Sequence, residues 1–185
     1  KKQNFTRLTS IKDVAIKHFI DSIIINKHTP IKFPLLDMGT GPGFPGIPLK
    51  ILLGPEKKII LAEGVQKRVS FLKKVRDELQ LENLDIIGRN VTSEFNYSVE
   101  GVITWAVEDA SNTLGNVMNC LQKGGCVYLM KGPNVEPEIK MALEHWGEYY
   151  ELIKDKSYTL PSTTDDRRLL VFRKTKHLEM DSDSN

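Results

Sequence analysis

The sequence is poor in cysteine, in long apolar runs and in net charge, and each shortage excludes a class of protein. Its two cysteines, Cys120 and Cys126, lack the spacing of metal ligands, and its four histidines form no metal pattern with them. We therefore expect no metal site, and we expect buried, reduced thiols in a cytoplasmic protein. No apolar run reaches the roughly 20 residues that a membrane-spanning helix needs, and no signal peptide is visible. The net charge of +2 neither demands nor excludes a nucleic-acid partner.

What the sequence does have is the composition of one folded domain. Of its 185 residues, 40% are hydrophobic and 27% are charged, which is typical of a globular protein. We expect a single domain in residues 1–174, with an N-terminal helix at about 11–26 and a core at about 33–174. The polar residues 175–185 are expected to form a disordered tail.

The order of the predicted elements indicates the fold class. Apolar runs that predict strands alternate with segments of helical spacing, which predicts an α/β fold with a mostly parallel sheet and helices on both faces. The last two predicted strands, at 149–156 and 169–173, have no helix between them. We therefore expect these two strands to be antiparallel.

The stretch Leu35–Leu49 carries the strongest chemical signal. It opens as a buried strand, and four glycines follow within a few residues before a helical pattern begins. Gly41-Pro42-Gly43-Phe44-Pro45-Gly46 fits the dinucleotide pattern G-x-G-x-x-G, and Glu63 ends the next apolar run about twenty residues later. A carboxylate at that place is able to accept hydrogen bonds from both ribose hydroxyls. NAD, FAD and S-adenosylmethionine fit these residues equally well, and an ordinary strand-to-helix loop stays open.

The same stretch resembles motif I of the RsmG (GidB) family. The match runs from Asp37 through Leu49, DMGTGPGFPGIPL, and it is far more specific than the glycine pattern alone. Further segments resemble family elements in the family's order, namely Leu61–Arg68, Gly88-Arg89, Lys123–Gly132 and Leu160–Leu169. The family comprises bacterial methyltransferases that use S-adenosylmethionine to modify a guanine N7 of 16S rRNA. The resemblance covers about residues 4–173. It strongly favours S-adenosylmethionine as the ligand and makes NAD the least favoured interpretation.

The resemblance implies a class I S-adenosylmethionine-dependent methyltransferase fold, Rossmann-like, with a seven-stranded, mostly parallel sheet whose last strand is antiparallel. It implies cofactor contacts at Gly39, Gly41, Gly43, Phe44, Glu63, Asn90 and Val91. We also expect a cofactor contact at Trp105, whose ring is able to stack on a purine or to face the sulfonium cation. It implies RNA contacts at His18, Lys131 and Arg167. No catalytic residue is assigned, because guanine N7 carries no proton and its methylation needs no general base. The implied cofactor is S-adenosylmethionine, and the implied partner is 16S rRNA in the small ribosomal subunit, bound by a monomer.

Some of these residues also have a plainer interpretation. His18 and Asp21 lie one helical turn apart, and as a hydrogen-bonded pair they would only anchor the helix to the sheet. Phe44 and Trp105 would then pack in the protein without touching a ligand. Asn90 would belong to a plain turn, and Arg168, next to Arg167, would only be solvated.

Three departures from the family pattern leave alternatives open. Family members usually carry an arginine, in the form xRAxA, where this sequence has Thr104-Trp105-Ala106-Val107. Gly64 replaces the usual serine, and the further N-terminal helical segment of family members is absent here. The alternatives are a cofactor- or ribosome-binding protein without methyltransferase activity, and a small-molecule methyltransferase.

Overall fold

The computed structural model describes residues 10–177, so positions 1–9 and 178–185 lie outside the described residues. Most of the predicted tail at 175–185 falls there. The single domain over residues 1–174 stays a prediction.

The sheet has the predicted architecture. Its strands are β1 (Leu35–Met38), β2 (Ile59–Ala62), β3 (Leu84–Ile87), β4 (Val99–Trp105), β5 (Leu121–Lys131), β6 (Tyr150–Thr159) and β7 (Asp166–Lys174). They form one seven-stranded sheet in the order β3-β2-β1-β4-β5-β7-β6. β7 runs antiparallel to both β5 and β6, whereas the other neighbouring pairs are parallel. The predicted mostly parallel sheet with an antiparallel last strand is confirmed.

Helices cover both faces of this sheet. They are α1 (Ile11–Val14), a π-helical segment (Ala15–Ile20), α2 (Asp21–Ile23), α3 (Ile25–His28), α4 (Gly46–Leu53), α5 (Gln66–Glu78), α6 (Ala110–Asn116) and α7 (Glu136–Trp146). Successive side chains of a strand point to opposite faces, so Leu35 packs in one core with Ile25 and Leu72, and Leu36 packs in another with Leu114. In residues 10–177, none of the helices combines the length and the apolar character that a membrane crossing requires.

The N-terminal residues are helical, but the buried face that helical spacing predicts for them is wrong, namely Ile11, Val14, Ala15, Phe19 and Ile23. Ser10 caps the helix, because its side chain accepts a hydrogen bond from the Asp13 N–H at 3.0 Å. Ile11 is 89% exposed and Phe19 is 43% exposed, although both belong to the predicted face. For Phe19 the cause is the π-helical segment at Ala15–Ile20, whose wider turn departs from a 3.6-residue period, whereas Ile11 precedes that segment in a first turn without buried residues. The buried residues are instead Asp21, Ser22, Ile24 and Ile25.

The boundary between α6 and β5 also differs from the prediction. The sequence pattern predicts a helix at about 108–121, a turn at 122–125 and a strand at 126–130, whereas α6 ends at Asn116 and β5 begins at Leu121. β5 pairs Leu121 with Val99 and then Cys126 with Gly101, so four residues bulge out between two short ladders. Gly124 has a positive φ of 80° in this bulge, so the glycines that suggested a turn lie inside a strand.

Candidate active site

Asp37, near the end of β1, fixes the glycine turn to the sheet. Its carboxylate is fully buried, and Oδ2 accepts a hydrogen bond from the Thr40 hydroxyl at 2.6 Å and another from the Gly46 N–H at 2.7 Å. Burial raises the pKa of Asp37 to about 7, although these two hydrogen bonds act to lower it. One carboxyl group thus joins the end of a strand, the turn and the first residue of α4.

Two glycines of the turn share a positive φ but differ in how closely other atoms pack against them. Gly41 has a φ of 59° and Gly43 a φ of 109°, both in the region that other residues rarely adopt. A Cβ on Gly43 would lie 2.3 Å from Cδ1 of Ile47, whereas a Cβ on Gly41 would meet nothing within 4 Å. Gly43 is therefore required by close packing against α4, while Gly41 leaves open space beside the turn.

A cavity of about 320 Å³, which we call the sheet-end crevice, lies at the carboxyl ends of the central strands. It is lined by Met38, Gly39, Ala62, Asn90, Val91, Thr92, Val107 and Glu108. Three of the predicted cofactor residues, Gly39, Asn90 and Val91, are thus brought together from loops after β1 and β3. Ligands of open α/β sheets bind in such a crevice, outside the carboxyl ends of the strands.

Glu63 directly follows Ala62, which lines the sheet-end crevice. The Glu63 side chain is buried, and its Oε1 accepts a hydrogen bond from the Val65 N–H at 2.8 Å. Its Oε2 lies 3.5 Å from Nη1 of Arg68. These contacts hold the carboxylate against the start of α5. The role predicted for it, binding a ribose, stays a prediction.

The glycine at position 64 has a structural explanation. A Cβ there would lie 2.2 Å from Oδ1 of Asn90 and 2.9 Å from its Cγ. The Asn90 side chain therefore occupies the space that a serine at position 64 would need. This departure from the family pattern leaves Asn90 packed beside the turn after β2, at the wall of the sheet-end crevice.

Phe44 and Trp105 lie with His18, apart from the residues that line the sheet-end crevice. The His18 ring stacks on Phe44 with 4.9 Å between the ring centroids, and it meets Trp105 edge-on at 6.1 Å. Burial lowers the pKa of His18, which favours the neutral ring. His18, Gly43 and Phe44 also line an apolar groove of about 330 Å³ beside α4 and α5. The cofactor contacts predicted for Phe44 and Trp105 stay predictions.

A second cavity, of about 460 Å³, contains the predicted RNA contact Lys131, and we call it the Lys131 cavity. It is lined by Ala106, Val107, Glu108, Lys131, Gly132, Pro133, Asn134, Val135 and Glu138. Val107 and Glu108 line both cavities, so the two share a wall. The Lys131 ammonium donates a hydrogen bond to the Glu108 carbonyl oxygen at 2.5 Å and pairs with Oε2 of Glu138 at 2.8 Å.

Arg167, the third predicted RNA contact, links β7 to the N-terminal helix. Its Nε donates a hydrogen bond to Oδ2 of Asp21 at 2.7 Å, and Asp21 is fully buried. Burial raises the pKa of Asp21, and the Arg167 guanidinium opposes that rise. Lys17 makes a second link, to Asp165 at 2.9 Å. Whether Arg167 also binds RNA stays a prediction.

Most of the other residues that line these cavities were not predicted from the sequence, and they include Val107, Glu108 and Glu138. Val107 and Glu108 follow β4 at the ligand-binding edge, and that position alone was a usable signal. Glu138 lies in the first turn of α7, and its pairing with Lys131 has no signal in the sequence. Just before these residues, Ala106 has a φ of 50°, a strained conformation of the kind that clusters at functional sites. Among residues 10–177, no group of three or more His, Cys, Asp or Glu side chains is placed to hold a metal ion.

Comparison with known families identifies the chain's relatives. The family model described as "GidB: rRNA small subunit methyltransferase G" matches residues 1–170. The chain belongs to this family. It is 61% identical over 180 residues to Ribosomal RNA small subunit methyltransferase G 2 of Bdellovibrio bacteriovorus, across 97% of this chain and 70% of that relative. It is 42% identical over 171 residues to the protein of the same name from Syntrophobacter fumaroxidans, across 92% of this chain and 34% of that relative.

Solved structures show the fold that this GidB family member shares. A SAM-dependent methyltransferase from Aquifex aeolicus matches with a TM-score of 0.67 at 14% identity, across 89% of this chain and 94% of the other. Magnesium protoporphyrin IX methyltransferase from Synechocystis, solved with bound SAM, matches with a TM-score of 0.65 at 16% identity, across 92% and 88% of the two chains. The predicted class I methyltransferase fold is confirmed. Both cavities fall inside the range that the family model matches.

Proposed function

We propose that this GidB family member transfers a methyl group from S-adenosylmethionine to N7 of a guanine in 16S rRNA. The observation that carries the proposal is the family match over residues 1–170, whose description is an rRNA small subunit methyltransferase. The 61% identical relative has the same description in its name. We further propose that the protein acts as a monomer in the cytoplasm, on rRNA within the small ribosomal subunit.

The sheet-end crevice fits S-adenosylmethionine in size and in the groups that it offers. Its volume of about 320 Å³ falls within the range of small-ligand sites. The glycine turn leaves open space at Gly41, where even a Cβ would touch nothing within 4 Å. Asn90 and Val91 would contact the adenine, and the Glu63 carboxylate would accept hydrogen bonds from the ribose. When bound, this cofactor supplies an electrophilic methyl group.

The residues of the site have to position the reacting groups, and none of them has to move a proton. Guanine N7 presents a lone pair without a proton, so no side chain is needed as a general base. The rate then depends on alignment and on electrostatics suited to a spreading positive charge. The wall formed by Val107 and Glu108 supports this arrangement, because it sets a cavity for the base beside the crevice for the cofactor.

The direct test is an assay of methyl transfer. Small ribosomal subunits without the modification are incubated with the protein and methyl-labelled S-adenosylmethionine, and the rRNA is digested to nucleosides. We expect the label in 7-methylguanosine, with large subunits as the control that stays unlabelled. Label in another nucleoside would contradict the proposal. Binding of subunits without any transfer would favour a binding protein that lacks activity.

Replacing Glu63 by alanine is expected to weaken S-adenosylmethionine binding by roughly 10- to 50-fold, because two hydrogen bonds to a buried carboxylate would be lost. Titration calorimetry measures the change. Glu100→Ala is the matched control, since Glu100 is exposed on β4 and outside the residues that line the crevice. An unchanged affinity of Glu63→Ala would remove Glu63 from the cofactor site.

We also propose RNA contacts at His18, Lys131 and Arg167, and the charge of Arg167 allows a specific prediction. If its guanidinium neutralises an RNA phosphate, Arg167→Gln should reduce the salt dependence of rRNA binding by about one unit of slope in a plot of log K against log salt. Arg173→Gln is the control, because Arg173 lies on the same strand and pairs with exposed Glu151 at 2.6 Å. Equal slopes for Arg167→Gln and the unmodified protein would count against the contact.

A further inference from the structure

The Lys131 cavity contains an ammonium and a carboxylate side by side. Lys131 is only 7% exposed, and its Nζ lies 2.8 Å from Oε2 of Glu138, whose side chain is 32% exposed. The same Oε2 accepts a hydrogen bond from the Ala110 N–H at 3.0 Å, which fixes the carboxylate in place. Within residues 10–177, the ammonium makes one hydrogen bond, to the Glu108 carbonyl oxygen, and one ion pair, with Oε2 of Glu138, whereas Oε1 of Glu138 makes neither. The pair therefore has one N–H and one carboxylate oxygen left to offer a ligand.

This pair complements one edge of guanine. Along that edge guanine presents, in order, the acceptors N7 and O6, followed by the donors N1–H and N2–H₂. An ammonium next to a carboxylate is able to donate to O6 and to accept from N1–H and N2–H₂. RNA bases that proteins read in sequence are unstacked and recognised along such edges.

The order of the two charged groups also decides where N7 points. The Lys131 ammonium binds the carbonyl oxygen of Glu108, which belongs to the wall shared with the sheet-end crevice, whereas Glu138 lies on α7. With O6 on the ammonium, the neighbouring N7 lies toward that wall. Adenine carries a donor amine at position 6 and would have to place it on Glu138, so that either N1 or N7 accepts a hydrogen bond from the ammonium. In the first case N7 lies away from the wall, and in the second case the ammonium occupies the N7 lone pair, so neither arrangement leaves N7 free to react.

We propose that Lys131 and Glu138 recognise the guanine that is methylated, with the Lys131 ammonium on O6 and the Glu138 carboxylate on N1–H and N2–H₂. This inference rests on the proposed function and names the residues that select its base. It also specifies that the part of the RNA that Lys131 contacts is the base.

The contact at Glu138 is expected to increase the rate as well as the affinity. Methylation at N7 places a positive charge on the purine, and this charge makes N1–H more acidic. The hydrogen bond from N1–H to the carboxylate therefore strengthens as the reaction proceeds, and an interaction that is stronger in the transition state accelerates the reaction.

The test is Glu138→Gln, which keeps the size of the side chain and still accepts the hydrogen bond from the Ala110 N–H. This variant presents an amide to the base in place of a carboxylate. We expect the single-turnover rate of 7-methylguanosine formation on small subunits to fall roughly 10- to 100-fold. The melting temperature and the affinity for S-adenosylmethionine should stay as they are. Glu144→Gln is the matched control on α7, since Glu144 is exposed and pairs only weakly with Lys140, at 3.8 Å.

A second measurement separates recognition from a merely structural role. Guanosine monophosphate should inhibit the unmodified protein more strongly than 1-methylguanosine monophosphate, which lacks N1–H, and Glu138→Gln should lose this preference. Equal inhibition of the unmodified protein by both nucleotides would overturn the inference, even if the variant does not fold. A rate for folded Glu138→Gln within about threefold of the unmodified protein would also overturn it. In both cases the proposed function would still hold if the unmodified protein forms 7-methylguanosine. If the unmodified protein forms no 7-methylguanosine, the proposed function itself is rejected.

Discussion

Gly43→Ala is expected to lower the free energy of unfolding by about 3 kcal/mol and to weaken S-adenosylmethionine binding strongly. Gly43 has a φ of 109°, where an alanine is strained, and its new Cβ would lie 2.3 Å from Cδ1 of Ile47 and 3.2 Å from Cδ2 of Leu72. Ile47 and Leu72 are both buried, so neither is able to move aside without disturbing the core. The turn would shift relative to α4, and its backbone would no longer be placed to contact the cofactor. Urea unfolding and titration calorimetry measure the two effects.

Gly41→Ala is the matched control for this prediction. Gly41 has a φ of 59°, but an added Cβ would meet nothing within 4 Å, so only the conformational cost of about 1 kcal/mol is expected. Equal losses of stability in the two variants would show that backbone conformation, and not close packing, is what the turn requires.

Asp37→Asn is expected to remove a large pH dependence of stability. The pKa of Asp37 is about 7 in the folded protein and near 3.8 in the unfolded chain, because burial disfavours the charged form. Between these values the folded state binds a proton that the unfolded chain does not. The stability contributed by Asp37 is therefore complete below about pH 3.8 and is lost as the pH rises to about 7. Relative to the asparagine variant, the unmodified protein should lose on the order of 4 kcal/mol as the pH rises through this range and little more above it.

Urea unfolding of both proteins at several pH values between about 4.5 and 8.5 tests this expectation. Asp85→Asn is the control, because the Asp85 side chain is half exposed and paired with Lys58 at 2.5 Å. The prediction concerns the difference between the Asp37 variant and the unmodified protein. A difference that does not change with pH would mean that Asp37 is ionised throughout and that its hydrogen bonds to Thr40 and Gly46 outweigh burial.

Local patterns were sufficient to predict most of the fold. The sequence pattern predicts strands at 35–38 and 84–87 and a helix at about 136–146, and β1, β3 and α7 have these bounds. Apolar runs and helical spacing act within a single element, so they are sufficient there. The buried face of the N-terminal helix could not be read in this way, since one π-helical segment, Ala15–Ile20, changes the period. The predicted start of β5 was wrong for a related reason, because the glycines at 124 and 125 belong to a bulge within the strand and not to a turn before it.

The candidate site was predicted where it depends on the chain near each strand end. Gly39, Asn90 and Val91 line one crevice because the carboxyl ends of neighbouring parallel strands meet at the same edge. The partners of Lys131 and Arg167 were not predictable, since Glu138 and Asp21 reach them only after α7 and the N-terminal helix have packed. Those two ion pairs are products of tertiary structure.

The most direct test of the central claim is amide hydrogen exchange with and without saturating S-adenosylmethionine. If the sheet-end crevice holds this cofactor, exchange should slow in peptides that cover 39–46, 63–66 and 88–92, while peptides from β6 and NAD-treated samples stay unchanged. Protection confined to other parts of the chain, or the same protection by NAD, would contradict the assignment of the crevice to S-adenosylmethionine.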